Sequence, residues 1–277
     1  VKLSVLVDNS SCAPSTKPEN GLALYLQDGD IKILFDTGHH TLRHNAQQLG
    51  CDLCDVSHIV LSHGHYDHSC GLPGLVQQYK EKRGAFPQLI CHPNAFDKRS
   101  VSLDLWMTSF CIRTLNPPFT KEEIENIFPT TFSKDPLWLS DRFVFLGEIP
   151  RDPEVDEEAV FGSLQKEGSF FYDPIIDDSA LVYRSSEGLV VIVGCAHSGI
   201  CNIIEYAKRV CAEERILDII GGFHLYNADK KRLRRVKSYM NRLDPKSVHA
   251  CHCTGKARRF LPHQQNIGIG TVLSYPE

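Results

Sequence analysis

The chain has 277 residues, of which 42% are hydrophobic and 23% charged, with a formal net charge of −4. That length supports a substantial core, and no apolar run is long enough to span a bilayer. The mild acidity argues against a general nucleic-acid binder, which would be basic, so neither nucleic acid nor a membrane is an expected partner.

The first residues, Val1-Lys2-Leu3-Ser4-Val5, enter an alternating strand with no signal-peptide layout, which points to the cytoplasm. A turn or cap follows at Asp8-Asn9-Ser10-Ser11. Strands at 21–26 and 31–35 flank Asp28-Gly29-Asp30, a hairpin signal. The second of them ends in Asp36-Thr37-Gly38, which sets a carboxylate at the strand's C-terminal lip. Residues 41–49 have helical spacing. Cys51-Asp52-Leu53-Cys54 has C-x-x-C spacing, but no second pair accompanies it and the strand-then-helix setting of a redox motif is missing. The eleven cysteines therefore read as reduced thiols and small core residues, not as a disulfide framework.

The apolar run at 56–60 reads as a buried strand, and it leads into Leu61-Ser62-His63-Gly64-His65-Tyr66-Asp67-His68. If the chain stays extended past Ser62, period-two geometry puts His63, His65 and Asp67 on one side, with His68 entering from the next turn. Three imidazoles and a carboxylate in one short loop form a ligand set for zinc, iron or manganese. A helix at 75–82 and a strand at 89–92 close the first half.

From 93 to about 174 periodicity weakens, prolines accumulate and aromatics are dense, among them Trp106, Phe110, Phe128, Trp138, Phe143, Phe145, Phe161, Phe171 and Tyr172. This stretch reads as an insertion packed over the site and shaping a substrate pocket. Within it, the acidic run at 152–158 reads as a solvated loop. The second half resumes with a hairpin at 180–193 and Gly194-Cys195-Ala196-His197-Ser198-Gly199, then a helix at 203–213. A strand at 217–220 ends in Gly221-Gly222-Phe223-His224-Leu225. A basic helix from Lys230 to Leu243 reads as a solvated face, and a last strand ends in Cys251-His252-Cys253-Thr254-Gly255. One device recurs at Asp36, His63, His197, His224 and His252: a buried strand ends, and a histidine or aspartate stands at its lip beside a glycine or close to one. Five such positions in two halves point to one site between two sheets.

On these residues the chain resembles the metallo-β-lactamase fold superfamily. It is most similar to the 7,8-dihydropterin-6-methyl-4-(β-D-ribofuranosyl)aminobenzene 5'-phosphate synthase-like subfamily, through the 61–68 loop, Gly147-Glu148-Ile149-Pro150-Arg151, the 193–200 and 221–225 segments and His252-Cys253-Thr254-Gly255. The resemblance implies an α/β fold, an αββα sandwich of two mixed sheets flanked by helices, formed as a single domain over 1–277 with the insertion at about 93–174. It implies one or two divalent metals, zinc first, with iron or manganese tolerated by a histidine–carboxylate set. His63 and His65 would bind the first metal, Asp67 and His68 the second, and Asp36 would orient the loop.

The second half departs from the superfamily pattern. Cys195 stands where a bridging aspartate is usual, and His197 lies two residues on. His197 and His252 are expected as ligands, His224 as ligand or proton carrier, and Cys195 and Asp178 as lesser participants, while Cys253 reads as packing or, were it a thiolate ligand, as favouring zinc. Asp67 or His224 would relay protons. Arg151, Lys256, Arg258 and Arg259 are the cations expected to hold an anionic group. The expected activity is a metallo-hydrolase acting on a small anionic phosphoester, lactone or thioester. The alternatives are a synthase-like transferase releasing diphosphate, and a diiron redox or metal-sensing protein. Nothing in the pattern excludes a homo-oligomer.

Overall fold

A computed structural model describes every residue except Arg83, Gly84, Trp106, Met107 and Gly168, and the side chains of 102–105 and 108–110 also lie outside the described set. The first half supplies β1 (Lys2–Val7), β2 (Ala23–Asp28), β3 (Ile31–Phe35), α1 (Leu42–Gln48), β4 (His58–Val60), α2 (Tyr66–Ser69), α3 (Leu72–Lys82) and β5 (Gln88–Cys91). The middle supplies β6 (Arg99–Leu105), β7 (Thr108–Thr114), α4 (Lys121–Ile127), β8 (Thr130–Phe132), β9 (Leu137–Trp138), β10 (Phe143–Phe145), β11 (Ser163–Lys166) and β12 (Ser169–Tyr172). The second half supplies β13 (Ala180–Ser185), β14 (Gly188–Val193), α5 (Ile200–Cys211), β15 (Ile216–Gly222), α6 (Lys230–Leu243), β16 (Ser247–Cys251) and β17 (Val272–Ser274).

Two mixed sheets form the body. One has seven strands in the order β17-β1-β2-β3-β4-β5-β8, and the other six in the order β16-β15-β14-β13-β10-β9. Their apolar patterns explain the layering. In β14, Leu189, Val191 and Val193 face the helices α5 and α6, whereas Val190 and Ile192 face the opposite sheet. Alternate side chains on one strand thus serve two cores, as a pleat buried on both sides requires. Phe35, Phe143, Phe145, Leu181 and Val190 fill the space between the sheets. Leu42 and Ala46 of α1 and Leu75 and Tyr79 of α3 cover the outer face of the first sheet. The result is the αββα sandwich expected from the sequence. Among the described residues no helix is long and apolar enough to cross a membrane.

The middle segment differs from its reading as one insertion. Only β6, β7, β11 and β12 form a separate sheet, all antiparallel. β8 joins the first large sheet beside β5, and β9 and β10 join the second beside β13. Phe143 and Phe145, counted above as rings over the site, are fully buried between the sheets. Trp138 lies under the Arg184 guanidinium, and Phe171 and Tyr172 are exposed. Trp106 and the Phe110 side chain lie outside the described residues. Short strands of two or three residues carry too little alternation to separate them from an aromatic loop.

The two charge runs also differ from their reading as solvated surfaces. Asp156 is buried, and its carboxylate accepts from Arg232 Nε (3.3 Å) and Cys201 N–H (3.2 Å). Arg232 Nη1 donates to the carbonyl of His224 (3.2 Å). Glu157 pairs with Lys231 and Arg235. Asp156 and Glu157 thus tie the acidic run to the basic helix while most other charges of both runs stay exposed, and one buried ion pair at their junction braces the turn that carries His224.

Candidate metal centre

The loop after β4 is extended at His65 but then turns into α2, so Asp67 and His68 leave on a helical turn instead of continuing the strand. Ser69 Oγ donates to the carbonyl of His65 (3.0 Å), which holds this turn. The change of geometry distributes the donors. Donor atoms of His63, His65 and His197 lie within 4.8 Å of one another, and those of Asp67, His68 and His252 form a second such group. Extended geometry would have put Asp67 with His63 and His65; the helical turn sends it to the other group.

Most of the donors are fixed from behind; His65 is the exception, its Nδ1 meeting His63 Nε2 (3.0 Å). Asp36 is fully buried and accepts from Ser62 N–H, Ser62 Oγ and His68 Nδ1, each at 2.7 Å. Ser62 Oγ also contacts His63 Nδ1 (2.9 Å), so one carboxylate orients two imidazoles. Gly64 N–H donates to Asp177 (2.8 Å), itself gripped by Arg99. A Cβ on Gly64 would stand 1.7 Å from the Ala95 carbonyl, which explains the glycine between the two histidines. His197 Nδ1 meets the carbonyl of Ala159 (2.6 Å), and His252 Nδ1 meets Asn9 Oδ1 (2.9 Å). Asp36, His224 and His252 all have positive φ, at 58°, 44° and 47°. Left-handed backbone is uncommon outside glycine and clusters at functional sites.

The electrostatics fit a divalent metal. Burial and the neighbouring imidazoles push His63 and His197 well below the usual histidine range. Burial takes His65 down to about 3. Neutral imidazole is the form that binds metal. The Nε2 atoms of His65 and His197 and the Nδ1 of His224 are buried with no hydrogen-bond partner. Orphaned buried nitrogens of this kind cost about 1–3 kcal/mol each unless something else meets them. His68 is opposite in sense: burial opposes its charge, but the Asp36 and Asp67 carboxylates prevail and raise it to about 9.

Above the donors opens a cavity of about 400 Å³, lined by Asn9, Asn20, His65, Tyr66, Asp67, Arg113, Leu115, Phe161, Cys195, His197, His224, Tyr226, Asn227, His252, Cys253 and Gly255. Among the described residues Phe161 is the insertion ring that reaches the site, edge-on to His65 at 6.1 Å. Asn20 Nδ2 donates to Asp67 (3.0 Å) and to Tyr66 Oη (3.2 Å).

The chain belongs to the metallo-beta-lactamase superfamily. Residues 16–212 match that family's model, described as the metallo-beta-lactamase superfamily. A 7,8-dihydropterin-6-methyl-4-(beta-D-ribofuranosyl)-aminobenzene-5'-phosphate synthase of Methanocaldococcus jannaschii is 29% identical over 230 residues, covering 81% of this chain and 76% of the relative. An uncharacterized protein of the same organism, MJ0448, is 29% identical over 278 residues, covering 98% and 97%. Among solved structures, Tm1679, described as a metal-dependent hydrolase of the beta-lactamase superfamily, superposes with a TM-score of 0.81 at 27% identity, covering 100% of this chain and 99% of that one. The αββα expectation and the resemblance to the synthase-like proteins both stand.

The cations are placed differently from expectation. Arg151 donates to the carbonyls of Pro174 and Ile175 and pairs with Glu158, so its guanidinium is engaged in holding the chain ahead of Asp177. Lys256 and Arg259 are exposed, and neither they nor Arg258 line the cavity. Among the described residues the cation that lines it is Arg113 of β7, stacked on the Tyr66 ring at 4.6 Å and donating to Tyr66 Oη. Asp178 lies outside both donor groups. Its Oδ2 accepts from Ser198 N–H (2.8 Å) and Ser198 Oγ (2.6 Å), which holds the loop behind His197. Sequence reasoning missed Asp8, Asn9, Asn20, Ala159 and Arg113. Of these, Asp8-Asn9 carried a signal: a carboxylate and an amide directly after a buried strand, the device already noted at Asp36.

Proposed function

We propose that the protein is a metal-dependent hydrolase of small anionic esters, with phosphoesters the first class to test. Its centre would hold one ion at His63, His65 and His197 and another at Asp67, His68 and His252. Such ions, when bound, turn water into a nucleophile near neutral pH and polarise a substrate oxygen. The observation that carries the reading is the cavity over these donors, with Arg113 laid on Tyr66 among its lining residues. Guanidinium forks pair well with phosphate or carboxylate, so Arg113 would hold the anionic group while Phe161 limits water access. Asp67, steadied by Asn20, would take the proton released by the attacking water. The solved relative described as a metal-dependent hydrolase supports this class.

The transferase alternative draws on the synthase named among the relatives and on the aromatic lining, where Phe161, Tyr66 and Tyr226 could stack on a planar ring. Zinc remains the first metal to try.

Two variants test the reading. His65→Ala should bind about one equivalent less metal by elemental analysis and lose turnover on a panel of phosphoesters, lactones and thioesters; unchanged turnover would sink it. Arg113→Ala removes a charge-assisted contact of about 1.5–3 kcal/mol. It should raise KM for a phosphoester by ~10-fold or more while leaving metal content unchanged. An equal KM would take Arg113 out of the site.

A further inference from the structure

A third triangle of donor atoms remains unused. The sulfurs of Cys195 and Cys253 and a ring nitrogen of His224 lie within 4.8 Å of one another at the cavity wall. The Cys195 sulfur is also 3.2 Å from His68 Nε2 and forms a group with His63 and His68, so it borders both histidine positions. The Cys253 sulfur accepts the backbone N–H of His224 (3.3 Å), a contact that suits a negatively charged sulfur. His224 Nδ1 is buried without a hydrogen-bond partner. Space for the second sulfur is reserved by glycine: a Cβ on Gly222 would stand 2.5 Å from Cys253 Sγ.

Charge points the same way. The two histidine groups bring a single carboxylate, Asp67, to two dications. Asp36 is engaged with Ser62 and His68, Asp177 with Arg99 and Gly64, and Asp178 through Oδ2 with Ser198, its partnerless Oδ1 belonging to none of the donor groups. Among the described residues no carboxylate stands between the groups, and the further negative charge available at the cavity wall is sulfur. Thiolates select borderline and soft ions, with zinc–sulfur bonds of about 2.3 Å and zinc–nitrogen bonds of about 2.0 Å, which small side-chain rotations from the present spacing supply.

We propose that Cys195, His224 and Cys253 form a third, sulfur-bearing metal position that takes a zinc-class ion and is joined to the histidine centre through the Cys195 sulfur. The proposal rests on reading the other two groups as metal positions. Each sulfur that arrives as a thiol exchanges its S–H bond for a sulfur–metal bond and releases one proton to solvent, whereas a sulfur already ionised binds with no proton released. His224 is then a ligand and not a proton carrier, and Cys253 is not merely packing.

The test loads the full chain with cobalt(II) by equilibrium dialysis and reads elemental content and the near-ultraviolet spectrum. The wild type should show a thiolate-to-cobalt charge-transfer band and hold one more equivalent of cobalt than Cys253→Ser, in which the band falls. A second arm needs no variant: alkylation of Cys253 by iodoacetamide, followed by peptide mass mapping, should slow ~10-fold with zinc at about ten times its Kd. Absence of the band, equal cobalt in wild type and variant, or alkylation indifferent to zinc would each overturn the proposal. Failure of the histidine reading looks different: His65→Ala would then keep its full metal content whatever the sulfur band does.

Discussion

Replacing Arg99 with alanine should cost about 3–5 kcal/mol of stability, read as a shift of the urea midpoint. The guanidinium is 1% exposed and donates from Nε to Asp173 (2.7 Å) and from Nη2 to Asp177 (2.6 Å). Both carboxylates are buried, so alanine would leave two charges in the interior without a cation. Burial already pushes Asp177 above the usual carboxylate range even with Arg99 beside it. The damage would reach the centre, because Asp177 also takes the Gly64 N–H between His63 and His65. Arg99→Ala should therefore weaken metal binding as well as the fold. A change below about 1 kcal/mol would put this network among weak surface pairs and refute the argument.

Asp36→Ala should lower metal affinity by about 10–100-fold, the usual effect of removing a group that orients metal ligands. The substitution frees the His68 ring and leaves the buried Ser62 N–H without its acceptor. Competition against a chromophoric chelator measures the loss, and an unchanged Kd would contradict the orienting role. Asp36→Asn should fall between, since an amide oxygen can still accept from Ser62 but carries no charge. The same pair sets a pH dependence. With His68 raised to about 9, its ring carries a proton at neutral pH that an incoming metal must expel. Metal affinity at that position should rise with pH up to about 9 and flatten above it. For the metal-free protein the sign reverses: the Asp36–His68 pair adds stability that is complete below the unfolded histidine value near 6.5 and is lost as pH passes about 9. In Asp36→Ala both slopes should shrink.

The body of the fold and the donors of both histidine groups were legible because their signals are local. Strand-end histidines beside glycine and the cluster at His63 to His68 announce themselves within a few residues. Other features depend on partners distant in sequence. Arg151 and Arg113 look alike as letters, and only the path of β7 brings Arg113 to the cavity while Arg151 is used by the carbonyls of Pro174 and Ile175. The acidic and basic runs each read as solvated alone; their meeting at Asp156 and Arg232 is a tertiary fact. The turn at α2 escaped because His-Tyr-Asp-His has no strong helix former to oppose the strand before it. Cys253 reads as packing until the fold sets it beside Cys195 and His224.

His252 is anchored by the opening strand: its N–H donates to Asp8 across 244 positions of sequence, and its ring meets Asn9. The centre therefore gathers residues from Asn9 to His252, a strongly non-local arrangement, and topologies of that kind assemble slowly. During synthesis the first histidine trio would be complete once His197 has emerged, whereas the group containing His252 waits for the closing strands. Metal uptake at the second position would then report that the first strand and the segment around His252 have met.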